Sequence, residues 1–357
     1  MSRKAKVFVG MSGGVDSSVA ALLLKRSGYD VVGVFMRSYN LDGCADSDAR
    51  DARRTAEHIG IPFYVWDFEK EYKRNVVDYF VKSYAAGDTP NPDVVCNRDI
   101  KFGIFYQKAR QLGADFIATG HYVRKKGSRL TAAKDTNKDQ TYFLWTLGPE
   151  EIKHSLFPIG DYLKTEVRKI ALKAKLPVAN KKDSQGICFL GKVSMKDFLK
   201  TKLPTKRGVI ITLDGQKIGV HEGVHFYTIG QRHGLDLKNK SRTLGQTGSI
   251  NTSPHYIVQK DIHRNTLIVA EKNDNNSKIK KLKLKNINLA SGKKELEVLA
   301  RVRYRQALSP ATVKMSTKQT ATLELHAPQQ FIATGQSVVF YSKEGELLGG
   351  GVINALT

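Results

Sequence analysis

The chain has 357 residues, enough for two or three domains that each bury a core, and its 58 Lys and Arg against 34 Asp and Glu leave a formal charge of +24. That excess points to a polyanionic partner and, being shared along the chain, argues against one detachable basic tail. No apolar run reaches transmembrane length, no signal-peptide core precedes the first glycines, and the scattered Cys44, Cys96 and Cys188 form neither a disulfide framework nor a CxxC zinc pair, so a cytoplasmic protein off membranes is expected.

In chain order, "KVFVG" reads as a strand, "SSVAALLLKRSG" as a helix, "DVVGVFM" as a strand, "SDARDARRTAEHIG" as a helix and "FYVWDF" as a strand. This alternation is that of a parallel βαβ sheet. "IKFGIFYQKARQLG" carries a helical pattern, "DFIATGHY" reads as a strand, and "KTEVRKIALKAKLP" as a helix ended by its proline. Beyond about residue 205 the helical period stops. "GVIITLDGQKIGV" reads as a hairpin turning at Asp214-Gly215, and "HYIVQKDIHRNTLIVA", "KELEVLARVRYRQ", "ATLELHA" and "QSVVFY" are strand-like. The polar "EKNDNNSK" divides this β-rich half. The expected fold is therefore α/β: a parallel-sheet domain over 1–204, a small central β domain over 205–275 and a C-terminal β-barrel or sandwich over 276–357. "SKIKKLKLK" alternates Lys with Ile and Leu, which sets several ammonium groups on one exposed face, as an RNA contact or as a solvated edge strand.

"MSGGVDSS", residues 11 to 18, leaves the first strand and enters a helix. There, free backbone N–H groups and the helix dipole favour a phosphate, and Gly13 and Gly14 permit close approach. The loop is neither GK[ST] nor GxGxxG. SGGVDS resembles the pyrophosphate loop of the ATP pyrophosphatases, which implies ATP as cosubstrate, with Ser12, Ser17 and backbone amides on the pyrophosphate and Asp16 near its Mg2+. Two thiols also lie in unusual settings. Cys96 lies in the Pro-rich "TPNPDVVCNRDIKF", three residues after Asp93 and just before a helical pattern, and Cys188 lies in "KKDSQGICFLG", near Lys181 and Lys182. A helix N-terminus and nearby cations make a thiol more acidic. Cys44 reads as structural or merely exposed.

"GMSGGVDSS", "TPNPDVVCNRDIKF", "ATGHY", "KDQTYFLW", "SQGICFL", "FYTIGQRHGL" and "RVRYRQ" occur in that order, and by this set the chain resembles the bacterial-type tRNA-uridine 2-sulfurtransferases. The resemblance implies a pyrophosphate-loop, ATP-binding catalytic domain over 1–204, the small central β domain and a tRNA-binding C-terminal β-barrel over 276–357, and 2-thiolation of the wobble uridine in the tRNAs for Lys, Glu and Gln. ATP adenylates the uracil C2 oxygen; sulfur follows from a persulfide on Cys188, with Cys96 as second nucleophile and disulfide partner. It further implies ATP contacts at Gly10, Met11, Ser12, Gly13, Gly14, Val15, Asp16, Ser17, Met36 and Gly120. The target base would meet Asn91, Pro92 and Asp93, the last a candidate acid or base. The tRNA would touch His121, Lys138, Asp139, Gln140, Arg303, Tyr304 and Gln336. A persulfide donor is the expected protein partner, the chain is expected to act as a monomer, and no dedicated metal-ligand set is expected. Three alternatives stay open: an iron-sulfur enzyme using Cys96, Cys188 and Asp93 as ligands, another ATP-pyrophosphatase ligase acting on RNA, and a non-catalytic RNA-binding module, which would explain the charge but not the loop.

Overall fold

The structure, a computed structural model, describes residues 3–39, 41, 43–183, 186–187, 189–191, 193–237, 254–272, 274–289 and 291–356. Strand β1 (Lys6–Gly10) is fully apolar between its ends because both faces are covered. Val7 and Val9 point into one core with Ala21, Ala52 and Ala56, whereas Phe8 points into the other with Val32, Trp66 and Phe105. Helix α1 (Val15–Arg26) and α2 (Cys44–Ile59) supply the first of these layers. β2 (Asp30–Arg37), β3 (Phe63–Asp67), β4 (Phe116–Ala118) and β7 (Ser155–Leu156) complete an all-parallel sheet ordered β3-β2-β1-β4-β7. The short β5 (Arg124–Lys126) and β6 (Arg129–Thr131) form a separate hairpin between β4 and β7. The strand expected over "DFIATGHY" stops at Ala118, and the residues after it turn back over the start of α1.

The helix expected from "IKFGIFYQKARQLG" begins earlier, at Pro92, and runs over 92–111 with a π-helical stretch, Cys96–Ile104, in its middle. Asn91 caps it by accepting from the Val94 N–H at 3.3 Å, and Pro92 at the first helical position has no N–H to leave unpaired. Cys96 therefore lies inside the helix rather than before it. Such π insertions recur at functional sites because they rotate one helical face against the next. Likewise, the "KTEVRKIALKAKLP" helix ends at Lys173, before its proline, and Lys175 takes a left-handed backbone at φ 51°.

The second sheet is ordered β10-β9-β8-β12-β11, from β8 (Gly208–Thr212), β9 (Lys217–His221), β10 (Asp236–Leu237), β11 (His255–Asp261) and β12 (Thr266–Glu271). Its β8–β9 hairpin turns at Asp214-Gly215, with Gly215 at φ +88°, as a two-strand reversal requires. The third unit closes on itself as β13-β16-β15-β14-β17-β18. Its strands are β13 (Ile279–Leu289), β14 (Glu295–Arg301), β15 (Ser309–Met315), β16 (Thr320–Gln329), β17 (Ser337–Tyr341) and β18 (Leu347–Leu356). Leu282 and Leu284 of β13 enter the barrel core while Lys281 and Lys283 face solvent, so the expected alternation holds. The edge-strand reading does not: β13 pairs with β16 on one side and β18 on the other, leaving no edge for lysines to guard.

That exposed lysine row leads to a first prediction. Replacing Lys281 and Lys283 by Glu is expected to weaken binding of several tRNAs alike and to flatten the dependence of log affinity on log salt, because phosphate contacts carry no base identity. Filter-binding titrations with two unrelated tRNAs across a salt series check this; selective loss of one tRNA would refute it.

Candidate active site

A cavity of about 550 Å³ opens at the carboxyl end of the parallel sheet, where such sheets place their ligands. Ser12, Gly14, Val15 and Asp16 line one part of it, and Asp93, Cys96 and Asn97 another. The opening loop is held by its own serines. The Ser12 N–H donates to Ser17 Oγ at 3.1 Å, and Ser18 Oγ donates to the Gly14 carbonyl at 2.7 Å. Gly13 takes φ +72°, and a Cβ there would run into the backbone oxygen of Asp48. A Cβ on Gly120 would lie 2.6 Å from the Ser17 nitrogen, and one on Gly10 would lie 2.9 Å from Met36 Cε. Gly10, Gly13, Gly120 and Met36 thus converge on the loop because the chain packs there without room for side chains. The cradle of bare backbone at the start of α1 fits a phosphate chain. Among the residues expected on ATP, Met11, Val15 and Ser17 are buried, while Ser12 is exposed at the mouth.

Behind the loop is a charge network that the sequence does not announce. Lys164 Nζ bonds both Asp16 oxygens at 2.7 and 2.8 Å and Asp183 at 2.8 Å. Tyr122 donates its hydroxyl to Asp16 at 2.8 Å, and burial, then the Asp16 charge, push that phenol well above its ordinary value. Asp183 also accepts from Arg168 at 2.6 Å and Lys138 at 2.7 Å. Burial raises its carboxyl, but hydrogen bonds from Lys138 and Lys164 outweigh this and hold it down at about 2. Lys181 pairs with Asp48 and Asp51 of α2 at 2.7 and 2.6 Å, linking the stretch that leads towards residue 188 to the nucleotide side. These partners stand more than 100 positions apart in several cases, and no local pattern marks them.

Cys96 is 6% exposed and shares the cavity wall with Asp93, one helical turn before it. Burial raises the Asp93 carboxyl, partly opposed by the Lys101 charge, so it holds a proton to higher pH than an ordinary aspartate, as a general acid or base requires. His121 is buried, with Nδ1 2.8 Å from Thr119 Oγ1, and burial together with Lys101 keeps its imidazole neutral well below the ordinary range. It can hydrogen-bond a substrate but not supply a cation to RNA. Gly186 and Phe189 line the cavity too, whereas Cys188 lies outside the described residues. Among the described residues, no group of three or more His, Cys, Asp or Glu is arranged to hold a metal.

The expected tRNA contacts divide into two groups. Lys138, Gln140 and Tyr304 line the cavity, Arg303 is exposed beside them, and Tyr304 packs at a tilt against Phe143 with centroids 4.4 Å apart and under the Arg305 guanidinium at 5.3 Å. These three residues follow β14 in a turn, not in a cross-strand ladder, and Arg305 has φ 63°. Asn91 and Pro92 are instead engaged in starting the helix. Asp139 is 5% exposed, and its carboxylate accepts from the N–H groups of Ala133 and Thr141, from Thr141 Oγ1, and from Arg301 of the barrel at 3.5 Å. It joins domains rather than facing RNA. Gln336 donates to the backbone of Thr89 and Pro90.

Asp139→Ala is accordingly expected to act on stability. It leaves the half-buried Arg301 without its carboxylate and the donors of Ala133 and Thr141 without an acceptor, a loss of about 1–3 kcal/mol for each buried donor left unmatched. Thermal unfolding should show a markedly lower midpoint, whereas a variant with unchanged stability and weakened tRNA binding would restore Asp139 to the RNA contacts.

The family model described as the tRNA methyl transferase HUP domain matches residues 5–192, its PRC-barrel domain matches 196–271, and the aminomethyltransferase beta-barrel domain matches 279–353. The chain is 46% identical over 364 residues to the tRNA-specific 2-thiouridylase MnmA of Lacticaseibacillus paracasei, covering 98% of this chain and 94% of that one. The chain belongs to the tRNA-specific 2-thiouridylase MnmA family. The MnmA of Francisella philomiragia is 43% identical, with 98% and 99% covered. Of solved structures, a 4-thiouridine synthetase in an RNA complex with bound ATP superposes with a TM-score of 0.34 at 19% identity, covering 56% of this chain and 50% of that one. The three β-rich and α/β units of this MnmA-family chain are thus a HUP-type parallel-sheet domain, a PRC-barrel domain and a closed six-stranded barrel.

Proposed function

We propose that this chain is an ATP-dependent tRNA-uridine 2-sulfurtransferase acting on the wobble uridine of the tRNAs for Lys, Glu and Gln. The observation that supports it best is that one cavity joins a phosphate-fitting glycine loop to Cys96 and Asp93. ATP supplies activation: the uracil C2 oxygen bonds to its α-phosphorus, pyrophosphate leaves, and the oxygen can then depart with AMP. Ser12, Ser17 and the amides of the loop would hold the phosphates, and Asp16, the loop's carboxylate, would help hold their Mg2+, which would neutralise charge on the departing pyrophosphate. Asp93 handles the proton at the base. The terminal sulfur of a Cys188 persulfide bonds to C2 as AMP departs. The Cys96 thiolate then attacks Cys188 Sγ, leaving the sulfur on C2 as the thiocarbonyl and joining the two cysteines as a disulfide. Tyr304, Arg303 and Arg305 offer stacking and charge to the anticodon bases beside the flipped uridine. An external persulfide donor and a thiol reductant complete the cycle.

The test is mass spectrometry of ribonucleosides after the protein is incubated with unmodified tRNA, ATP, and a cysteine desulfurase with cysteine. A 2-thiouridine nucleoside that requires ATP is expected. A methylated uridine, or no thionucleoside under any of these conditions, would overturn the reading.

A further inference from the structure

The segment that leads into the Cys96 helix is Thr89-Pro90-Asn91-Pro92, and its two prolines remove two of the four backbone donors. Thr89 and Pro90 are buried, so their carbonyls need partners that the segment cannot supply itself. The barrel supplies them. Gln336 Nε2 donates to the Thr89 carbonyl at 2.8 Å and to the Pro90 carbonyl at 3.3 Å, and the Thr89 N–H donates to the Thr334 carbonyl at 2.8 Å. Between these two residues, Gly335 takes φ +84°, and a Cβ there would lie 2.8 Å from Asp88 Cβ and 3.0 Å from the Thr89 nitrogen. The contact is therefore as close as backbone can come. Two residues before this segment, a Cβ on Gly87 would collide with Ile262 of the central domain. The chain is thus held from both downstream domains just before the Asn91 cap.

We propose that Gln336 is a positioning residue: by clamping the Thr89 and Pro90 carbonyls to the barrel, it sets where the helix carrying Asp93 and Cys96 begins, and hence where the thiol stands in the cavity. This rests on the function proposed above and departs from the family-implied placing of Gln336 on the tRNA. A primary amide suits the task because it offers two N–H donors to two adjacent carbonyls. Neither hydrogen remains for a phosphate while both bonds are made. A shift of about 1 Å in a reacting group can lower a rate by about 10²-fold, so a clamp distant from the chemistry can control it.

Two variants test this. Gln336→Ala removes the donors, and Gln336→Glu keeps the shape but sets carboxylate oxygens against carbonyl oxygens, so that at least one soluble variant reports. The first readout, hydrogen exchange of the peptide over 88–98, does not depend on activity and should speed up in both variants while barrel-core peptides stay protected. The second is single-turnover thiolation at saturating tRNA, which should fall about tenfold or more, with tRNA affinity within about threefold of the wild type. Unchanged exchange over 88–98 overturns the proposal whatever the activity. So does faster exchange with a normal single-turnover rate, or an affinity loss that accounts for the whole defect, which would return Gln336 to the RNA. A wild-type protein that makes no thiouridine refutes the proposed function instead, and the exchange comparison still decides whether the clamp sets the helix start.

Discussion

Cys96→Ser is expected to abolish thiouridine formation while leaving the fold and AMP-forming activation in place. The Cys96 side chain is buried against Val95, Ile100 and the aromatic core, so alanine would leave a void, whereas serine nearly preserves the volume. Serine places a hydroxyl in that setting at a cost of about 1–3 kcal/mol, which a chain of this size withstands. What it cannot do is attack sulfur. A hydroxyl is un-ionised at neutral pH, and thiol exchange proceeds through the thiolate. The variant should still accept a persulfide at Cys188 yet form no internal disulfide, as peptide mass spectrometry under non-reducing conditions would reveal. Cys44→Ser should retain activity, since the proposed transfer calls on Cys96 and Cys188 alone. Full thiolation by Cys96→Ser would remove Cys96 from the chemistry.

The parts of this site that were legible in the sequence are those whose function and chain continuity coincide. A phosphate loop must be contiguous, because consecutive amides do the binding, so "MSGGVDSS" carries its own signature. The same holds for "TPNPDVVC", where prolines, cap and thiol occupy adjacent positions. The Asp16–Lys164–Asp183 network is different: 148 positions separate Asp16 from Lys164, and Lys164 reads only as the polar start of an amphipathic helix. Asp139 and Gln336 show a further limit. A polar residue in a polar stretch looks available for RNA, and only the folded chain reveals that Asp139 accepts from Thr141 and Arg301 and that Gln336 reaches back to Pro90. The lysine row of β13 exposes the same ambiguity at the level of topology. Alternation fixes which side chains face outward, but whether a strand is an edge depends on how the barrel closes, and β18, some 60 residues later, closes this one on β13.

Asp16→Ala is expected to reduce AMP formation by about 100-fold or more, with little change in tRNA affinity and only a modest loss of thermal stability. The loss is limited because Lys164 retains Asp183, while the Tyr122 hydroxyl is left without its carboxylate at a cost of about 1–3 kcal/mol. The tRNA should still bind, because the proposed contacts are the lysines of β13 and the turn at Arg303, whereas the Asp16 carboxylate is bonded to Lys164 and Tyr122. Activation should fail because the loop loses its carboxylate, and with it the group that orders charge around the departing pyrophosphate. A comparison with Lys164→Met separates two ways in which this could happen. If Asp16 served only to anchor the Lys164 ammonium, the two single variants and the double variant would be equally impaired. If Asp16 itself faces the phosphates and Mg2+, its loss should exceed that of Lys164, which reaches the loop through Asp16 and does not line the cavity. The second outcome is expected, measured as AMP released per enzyme under single-turnover conditions with tRNA in excess. Normal AMP release by Asp16→Ala would sink the assignment of the opening loop to ATP.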